Sequence, residues 1–245
     1  MKTLLLDIET APNTAYVWGL WDQNISHEHL LETSYILCWS AKWLGEKGTQ
    51  FQSMEHTTPK KMLTSIHKLL DEAEVVVHFN GAKFDIPVLN KEFIKADLPP
   101  ASPYKQVDLY RVVRKVFRFE SNKLDAVCQT LGLGKKTKHQ GFSLWIGCMK
   151  GDHKCWKEME GYNRNDVVIL EKLYHRLLPW IPSLPHTGVI EGKAEACPAC
   201  GVVGQLQSRG VSTTKTAVYQ RFCCQACGAW CRARTSEKGK APKYV

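Results

Sequence analysis

The sequence predicts an α/β protein, a mixed β-sheet flanked by helices, with a small separate module at the C-terminal end. Three observations carry this. Short apolar runs of strand length open the chain, segments of helical spacing lie between and after them, and a cysteine cluster is confined to the C-terminal region. A chain of 245 residues accommodates one ordinary core with an appendage, or two small domains. Its hydrophobic fraction of 44% is that of a globular protein.

The first strand is Leu4-Leu5-Leu6 running into Asp7, with Ile8 between Asp7 and Glu9. Alternation along a strand puts Asp7 and Glu9 on one face and Leu4, Leu6 and Ile8 on the other. Residues 10–13 read as a turn. Residues 35–43 and 50–54 come next as the second and third strands of a meander, and Pro59 opens a helix that runs to Leu70. The run EVVVHF, residues 74–79, suits a central strand buried on both faces. Asn80-Gly81 ends it. Asp85 then reads as the N-cap of a helix through Phe93, with Pro87 in the first turn. Residues 106–117 and 122–131 have helical spacing, and Gly132 and Gly134 stop the second of these segments. The strongest helix covers residues 156–178, where Met159, Tyr162, Val167, Leu170, Leu173 and Leu177 form an apolar stripe.

Several acids in this plan are candidates for chemistry. Two carboxylates on one sheet face, Asp7 and Glu9, repel each other and are expensive to bury unless a cation neutralises them. The ordinary alternative is a strand end entering a solvated turn. Asp85 is either a cap, a ligand or both. Tyr162 and Asp166 stand one turn apart on one helix face; the ordinary alternative is a core tyrosine beside an edge charge paired with Arg164 or Lys172. Asp108 reads as a helix N-terminal or structural acid, and otherwise as a fifth acid near the site.

Taken in order, the patterns D-x-E, N-x3-F-D and Y-x3-D resemble those of the DEDD superfamily of 3′–5′ exonucleases, DnaQ-like enzymes of RNase H-like fold. The tyrosine resembles that of the DEDDy branch, which includes polymerase proofreading domains. The resemblance covers residues 1–185 and implies that Asp7, Glu9, Asp85 and Asp166 hold two Mg²⁺ or Mn²⁺ ions. It implies that Tyr162 positions the attacking water, and that Thr10, Asn80 and Phe84 contact the substrate end. Two divalent ions about 3.5–4 Å apart stabilise the attacking and leaving oxygens of an in-line displacement, so the chemistry suits phosphodiester hydrolysis. Single-stranded 3′ ends of DNA are the favoured substrate, and standalone enzymes of this kind are frequent in phage genomes. A non-catalytic nucleic-acid-binding protein on the same scaffold and a structure-specific endonuclease are the alternatives.

Charge supports a polyanionic partner. Of the net +9, residues 190–245 hold nine Lys/Arg against three Asp/Glu, which is +6. Counterion release would act there, and metal-bridged phosphate contacts at the acidic centre. The stretches 111–115 and 135–139 are smaller basic runs; each reads as a solvated face or as a wall for a nucleic-acid strand. No apolar run reaches the roughly 18–20 residues of a membrane span. The leucines after Met1-Lys2 are interrupted by Asp7 and Glu9 too early for a signal peptide, so the expectation is a cytoplasmic protein.

The cysteines form the second constellation. Cys197-x2-Cys200 and Cys224-x2-Cys227 are two knuckles with 23 residues between Cys200 and Cys224. Thiolates so spaced hold one tetrahedral Zn²⁺, and the segment resembles a zinc ribbon, a module too small to bury a core and folded by its metal. Disulfides are the alternative, which a cytoplasmic chain disfavours. Cys223 and Cys231 stand outside the four. The segment 181–188 is the natural linker, which divides the chain into 1–185 and 186–245. In the ribbon, Arg209, Lys215, Arg221, Arg232 and Arg234 alternate with Tyr219, Phe222 and Trp230, a composition for backbone neutralisation and base stacking. A polymerase or other replication protein is the alternative partner. Residues 235–245 read as a basic tail.

Overall fold

The computed structural model describes residues 1–182, 184–190 and 192–237. The basic tail expected over 235–245 therefore lies largely outside the described residues. The chain divides into two compact units, Lys2–Leu173 and the residues from Tyr174 onward together with Met1.

The first unit is built on a five-stranded mixed sheet. Its strands are β1 (Thr3–Thr10), β4 (Ile36–Trp43), β5 (Gln50–Ser53), β6 (Val75–His78) and β7 (Lys105–Asp108), in the order β5-β4-β1-β6-β7. Strand β4 runs antiparallel to β1 and β5, whereas β6 is parallel to β1 and to β7. A short antiparallel pair, β2 (Thr14–Ala15) and β3 (Leu30–Glu32), intervenes between β1 and β4. The helices are α1 (Pro59–Glu72), α2 (Asp85–Lys95), α3 (Leu109–Val116), α4 (Leu124–Thr130), α5 (Phe142–Met149) and α6 (His153–Leu177).

Alternation along β1 gives each sheet face its own core. Leu4, Leu6 and Ile8 pack with Trp39 and Val76 against Met62, Ile66 and Leu70 of α1 and Leu89 and Phe93 of α2. Thr58 caps α1 by accepting from the Lys61 backbone N–H, and Pro59 occupies the first turn. The indole of Trp39 donates to the Met62 carbonyl at 3.1 Å, so its buried N–H is satisfied. On the other face Leu37, Cys38 and Phe51 meet Leu144 and Cys148 of α5 and Trp156, Met159 and Tyr162 of α6.

Two expectations are corrected and one helix is added. Residues 106–108 belong to β7 rather than to a helix, because Val107 and Asp108 pair with Val77 and His78 of β6; only from Leu109 does the chain coil. Four residues are too few to show a period of two, so the helical spacing from Leu109 onward dominates the pattern. Helix α5, which buries Leu144 and Cys148, was not expected: its sequence FSLWIGCM is apolar nearly all round and shows no stripe. Asp85 does not cap α2. It is the first helical residue, Phe84 holds the cap position without a side-chain bond, and the Asp85 carboxylate accepts instead from the Ile8 N–H of β1 at 3.2 Å. A long-range tie between β1 and α2 replaces the local cap.

The second unit contains α7 (Thr187–Ile190) and a three-stranded antiparallel sheet of β8 (Leu206–Thr213), β9 (Val218–Cys224) and β10 (Trp230–Arg232) in the order β10-β9-β8. Its buried cluster is Cys197, Cys224 and Ala229, with Ala199, Cys200, Leu206 and Cys227 packed against it. So few apolar groups cannot offset the conformational entropy of folding, and a further constraint is needed. The first unit is thus a mixed sheet flanked by helices, and the second carries a four-cysteine cluster compatible with a zinc ribbon.

Ile66 is fully buried between α1 and β1. Ile66→Ala is expected to lower the stability of the sheet unit by about 2–5 kcal/mol, through lost burial and the cavity left behind. Urea unfolding followed by tryptophan fluorescence checks this; a loss below about 1 kcal/mol would mean that the site collapses around the smaller side chain.

Candidate active site and metal centres

The acidic residues singled out from the sequence converge on one edge of the first unit. Strand β1 carries Asp7 and Glu9 to its C-terminal end, half-buried, on the face opposite Leu4, Leu6 and Ile8. The long helix α6 crosses that face and delivers Tyr162 and Asp166, both buried. One carboxylate oxygen from each of Asp7, Glu9 and Asp166 lies within 4.8 Å of the others. Asp85, buried at the start of α2, stands outside this triad of ligand atoms, yet it raises the pKa values of both Asp7 and Glu9.

The electrostatics are those of a cation site. Burial first, then Glu9, Asp85 and Asp166 in turn, push Asp7 well above the ordinary carboxylate range. Burial likewise lifts Glu9 to about 8 and Asp85 to about 6. Asp166 is raised by burial, against the pull of Lys136, and its Oδ1 is buried with no hydrogen-bond partner. Crowded, desolvated carboxylates with an unpaired oxygen fit a hard divalent cation, which takes oxygen ligands and removes their mutual repulsion.

Several neighbours of these acids were not singled out from the sequence. Asn163 donates from Nδ2 to Asp7 Oδ2 at 2.7 Å, and Trp145 of α5 donates to Glu9. Lys136 leaves the basic stretch 135–139 and turns inward: its ammonium donates to Asp166 and, at 2.9 Å, to the Tyr162 hydroxyl, and it lies 4.9 Å from the ring centroid. Burial works against its charge, but Asp166 and Tyr162 outweigh that and raise its pKa. The partners considered for Asp166 are thus replaced. Arg164 pairs with Glu160 and lies over Phe51, and Lys136 takes the Asp166 carboxylate. Tyr162 is wedged between His139, 4.8 Å away, and Trp145, 6.0 Å away, both edge-on. Burial and the Asp166 charge push its phenol upward, so it stays protonated at neutral pH. Only the adjacency of Asn163 to Tyr162 could have signalled one of these neighbours; Lys136 and Trp145 are brought in by loops and a helix remote in sequence.

Of the expected substrate contacts, Thr10 ends β1, half-buried, one residue beyond Glu9. Asn80 lines a cleft of about 700 Å³ that also contains Asp7 and Lys136. Its backbone has φ of 66°, and its N–H donates to Asp108 Oδ1 at 2.8 Å. Asp108 also caps α3 by accepting from the Tyr110 N–H, which makes it a structural acid behind the cleft residues Asn80 and Tyr110. Phe84 is 44% exposed.

In the second unit one Sγ from each of Cys197, Cys200, Cys224 and Cys227 lies within 4.8 Å of the others. Cys197 and Cys227 are 3.8 Å apart and Cys200 and Cys224 3.7 Å. A tetrahedral zinc with Zn–S bonds of about 2.3 Å separates its thiolates by about 3.8 Å, so the four sulfurs fit that ion. Cys223 and Cys231 lie outside the four. Cross-strand pairing sets Trp230 opposite Cys223 and Arg232 opposite Arg221, which places Tyr219, Arg221, Trp230 and Arg232 on one sheet face. The Arg221 guanidinium lies 4.8 Å from the Trp230 ring and that of Arg232 4.0 Å from Tyr219. Phe222 does not alternate with them, because a period of two turns it to the other face.

Residues 4–178 match the RNase_H superfamily, and the chain belongs to that superfamily. Among solved structures it is similar to the family B DNA polymerase from the hyperthermophilic archaeon Pyrobaculum calidifontis, at 16% identity and a TM-score of 0.54. That similarity covers 73% of this chain and 24% of the polymerase, and it is a likeness of fold. No curated protein matches the chain by sequence. No helix among the described residues is long and apolar enough to cross a membrane.

Glu9, ordinarily at 4.5, titrates near 8 in the fold, and Asp85, ordinarily at 3.8, near 6. Both carboxyls keep a proton in the folded chain at pH values where the unfolded chain has lost it. Their contribution to stability is therefore full below about pH 4 and is lost as the pH climbs through 6 and then 8. A divalent cation competes with those protons, so Mg²⁺ or Mn²⁺ should raise Tm more at about pH 8 than at about pH 5. Thermal melts with and without the ion at both pH values check this; an equal rise at both would separate the ion from these acids.

Proposed function

We propose that the chain is a metal-dependent 3′–5′ exonuclease of the DEDDy type, acting on single-stranded 3′ ends, with DNA as the favoured substrate. The observation that carries this reading is the meeting of Asp7, Glu9 and Asp166 ligand atoms within 4.8 Å, from a strand and a helix far apart in sequence. Tyr162 and Asp166 stand one helical turn apart on α6, which supports the Y-x3-D part of this reading.

Asp7, Glu9, Asp85 and Asp166 would hold two Mg²⁺ or Mn²⁺ ions, which supply activation of water and stabilisation of charge on the leaving oxygen. The protein's own part is positioning. Asn163 fixes the Asp7 carboxylate and Trp145 fixes Glu9, so neither needs to reorganise. The Tyr162 hydroxyl, protonated and aimed at Asp166, orients a water without exchanging its proton. Asn80 lines the cleft that contains Asp7, and Thr10 and Phe84 would join it in contacting a terminal nucleotide. Residues 1–185 would form the exonuclease domain and residues 186–245 a zinc ribbon with a basic tail. The Tyr219–Arg221–Trp230–Arg232 face of that ribbon would bind nucleic acid rather than a replication protein, since its exposed Trp230 offers a stacking surface beside cations.

One observation favours a second reading. The Lys136 ammonium already neutralises Asp166, as an internal ion pair would in a non-catalytic nucleic-acid-binding scaffold. Turnover decides between them. With an end-labelled single strand and Mg²⁺, the wild-type chain should shorten the strand from its 3′ end. Asp7→Ala or Asp85→Ala should lower the rate by several orders of magnitude, as loss of a metal ligand removes transition-state charge stabilisation. Tyr162→Phe should lower turnover while leaving Tm nearly unchanged. Absence of cleavage by wild type favours the scaffold, and internal cuts favour an endonuclease.

Metal analysis of the purified chain should find one zinc, resistant to exchange with Mg²⁺ because thiolates select the softer ion. Chelation strong enough to strip it should unfold the second unit and leave the far-ultraviolet signal of the first. Zinc-free protein whose cysteines react freely with a thiol reagent would refute the ribbon.

A further inference from the structure

Asn80 and Tyr110 belong to two clefts at once. The first, of about 700 Å³, contains Asp7 and Lys136. The second, of about 450 Å³, is bounded by Lys83, Arg111, Arg114 and Lys115, with no acid on its wall. The two adjoin at Asn80 and Tyr110, so the acidic centre and a cationic groove lie on either side of one shared wall.

The construction of this junction argues against the ordinary reading of a solvated helix face. Helix α3 buries Leu109, Val112 and Val113, which leaves Arg111, Arg114 and Lys115 exposed along its other side. Asp108 ties both walls together, since its carboxylate accepts from the N–H of Asn80 and from that of Tyr110. Asn80 is held there in the left-handed region, with φ of 66°. Tyr110 packs edge-on against Phe79 at 5.7 Å, and the Arg114 guanidinium lies 5.6 Å from its ring. Arg111 shares a longer contact, 3.6 Å, with Asp108. Lys83 and Lys115 make no ion pair among the described residues. The acid of the first cleft wall other than Asp7, Asp125, is engaged by the Lys136 N–H and the Gln129 amide.

We propose that this paired cleft is the track of a single-stranded polynucleotide, with its end at Asp7 and its following phosphates on Arg111, Arg114, Lys115 and Lys83. Charge complementarity identifies a polyanion. The aromatic ring set among the cations at the bend identifies one with exposed bases, because a duplex hides its base faces in the stack. An acidic protein segment would satisfy the cations but gain nothing specific from Tyr110. The inference rests on the exonuclease reading for the position of the strand's end, whereas the groove itself does not.

The test uses the full-length chain carrying Asp7→Ala, so that strands stay intact, and a fluorescent oligothymidylate of about 15 nucleotides, within the span of single-strand sites. Replacing Arg111, Arg114 and Lys115 together by Gln should weaken binding at least ~10-fold and make the slope of log K against log salt shallower by about 2, at roughly 0.7 for each phosphate no longer neutralised. Tyr110→Ala should weaken binding without changing the slope. Replacing the same three residues by Lys, Lys and Arg should keep the slope, which separates charge from folding damage. Unchanged affinity and slope in the Gln variant overturn the track. So does a loss confined to poly-glutamate, run alongside as the acidic-peptide arm. Wild-type cleavage of a thymidine dinucleotide with Mg²⁺ is scored separately: its failure counts against the exonuclease reading, and a positive result with unchanged oligonucleotide binding counts against the track alone.

Discussion

The first unit depends on one electrostatic constraint: four carboxylates from three elements are held together where water is scarce. Two come from β1, one from the start of α2 and one from the middle of α6. Each would be cheaper exposed. The apolar packing behind them keeps them in place. Leu4, Leu6 and Ile8 lock β1 against α1 and α2, while Met159 and Tyr162 lock α6 against β4 and α5. Stability generated in the two cores offsets the repulsion at the site, and a bound cation would remove it. Such a division between a stabilising scaffold and a strained centre is the usual physical signature of a functional site.

Around the carboxylates, the chain uses hydrogen bonds from distant elements to fix groups that sterics alone would leave loose. Asp85 is bound by the Ile8 N–H, Asp7 by Asn163, and Asp166 by Lys136. The neighbouring turn is fixed in the same way. Gly81 donates its N–H to the buried His78 ring, and a Cβ at Gly81 would meet that ring at 2.6 Å, so only glycine fits. Burial lowers the His78 pKa, which keeps the ring neutral and able to accept that bond. The Asn80 backbone conformation belongs to this same turn, and with it the wall shared by the two clefts.

The second unit meets the opposite problem. Its buried cluster is small, and two of its four clustered cysteines, Cys197 and Cys224, form most of it. Oxygen ligands on a large scaffold and sulfur ligands on a small one suit different ions, so the two clusters would not compete for one metal. The cation–π pairs on its sheet face, Arg221 with Trp230 and Arg232 with Tyr219, also order its long side chains where the core is small.

The legibility of each feature in the sequence depends on the range of the interaction that creates it. Local apolar runs and periodicity determined β1, β4, β6 and α6, and the period of β1 and α6 set the faces of Asp7, Glu9 and Asp166, because those faces depend only on the element. Spacing alone likewise singled out the four cysteines. Tertiary structure decided the rest. Residues 106–108 form a strand only because β6 offers its edge, Asp85 leaves the capping role because Ile8 offers a donor, and Lys136 joins the acids because a loop folds inward. The helical spacing of α3 was visible, but that its cations border a cleft adjoining that of Asp7 was not. A sequence determines by itself only the structure within a turn or a pleat. Pairs such as Lys136 with Asp166 and Asn163 with Asp7, 30 and 156 residues apart, exist only once the cores have packed.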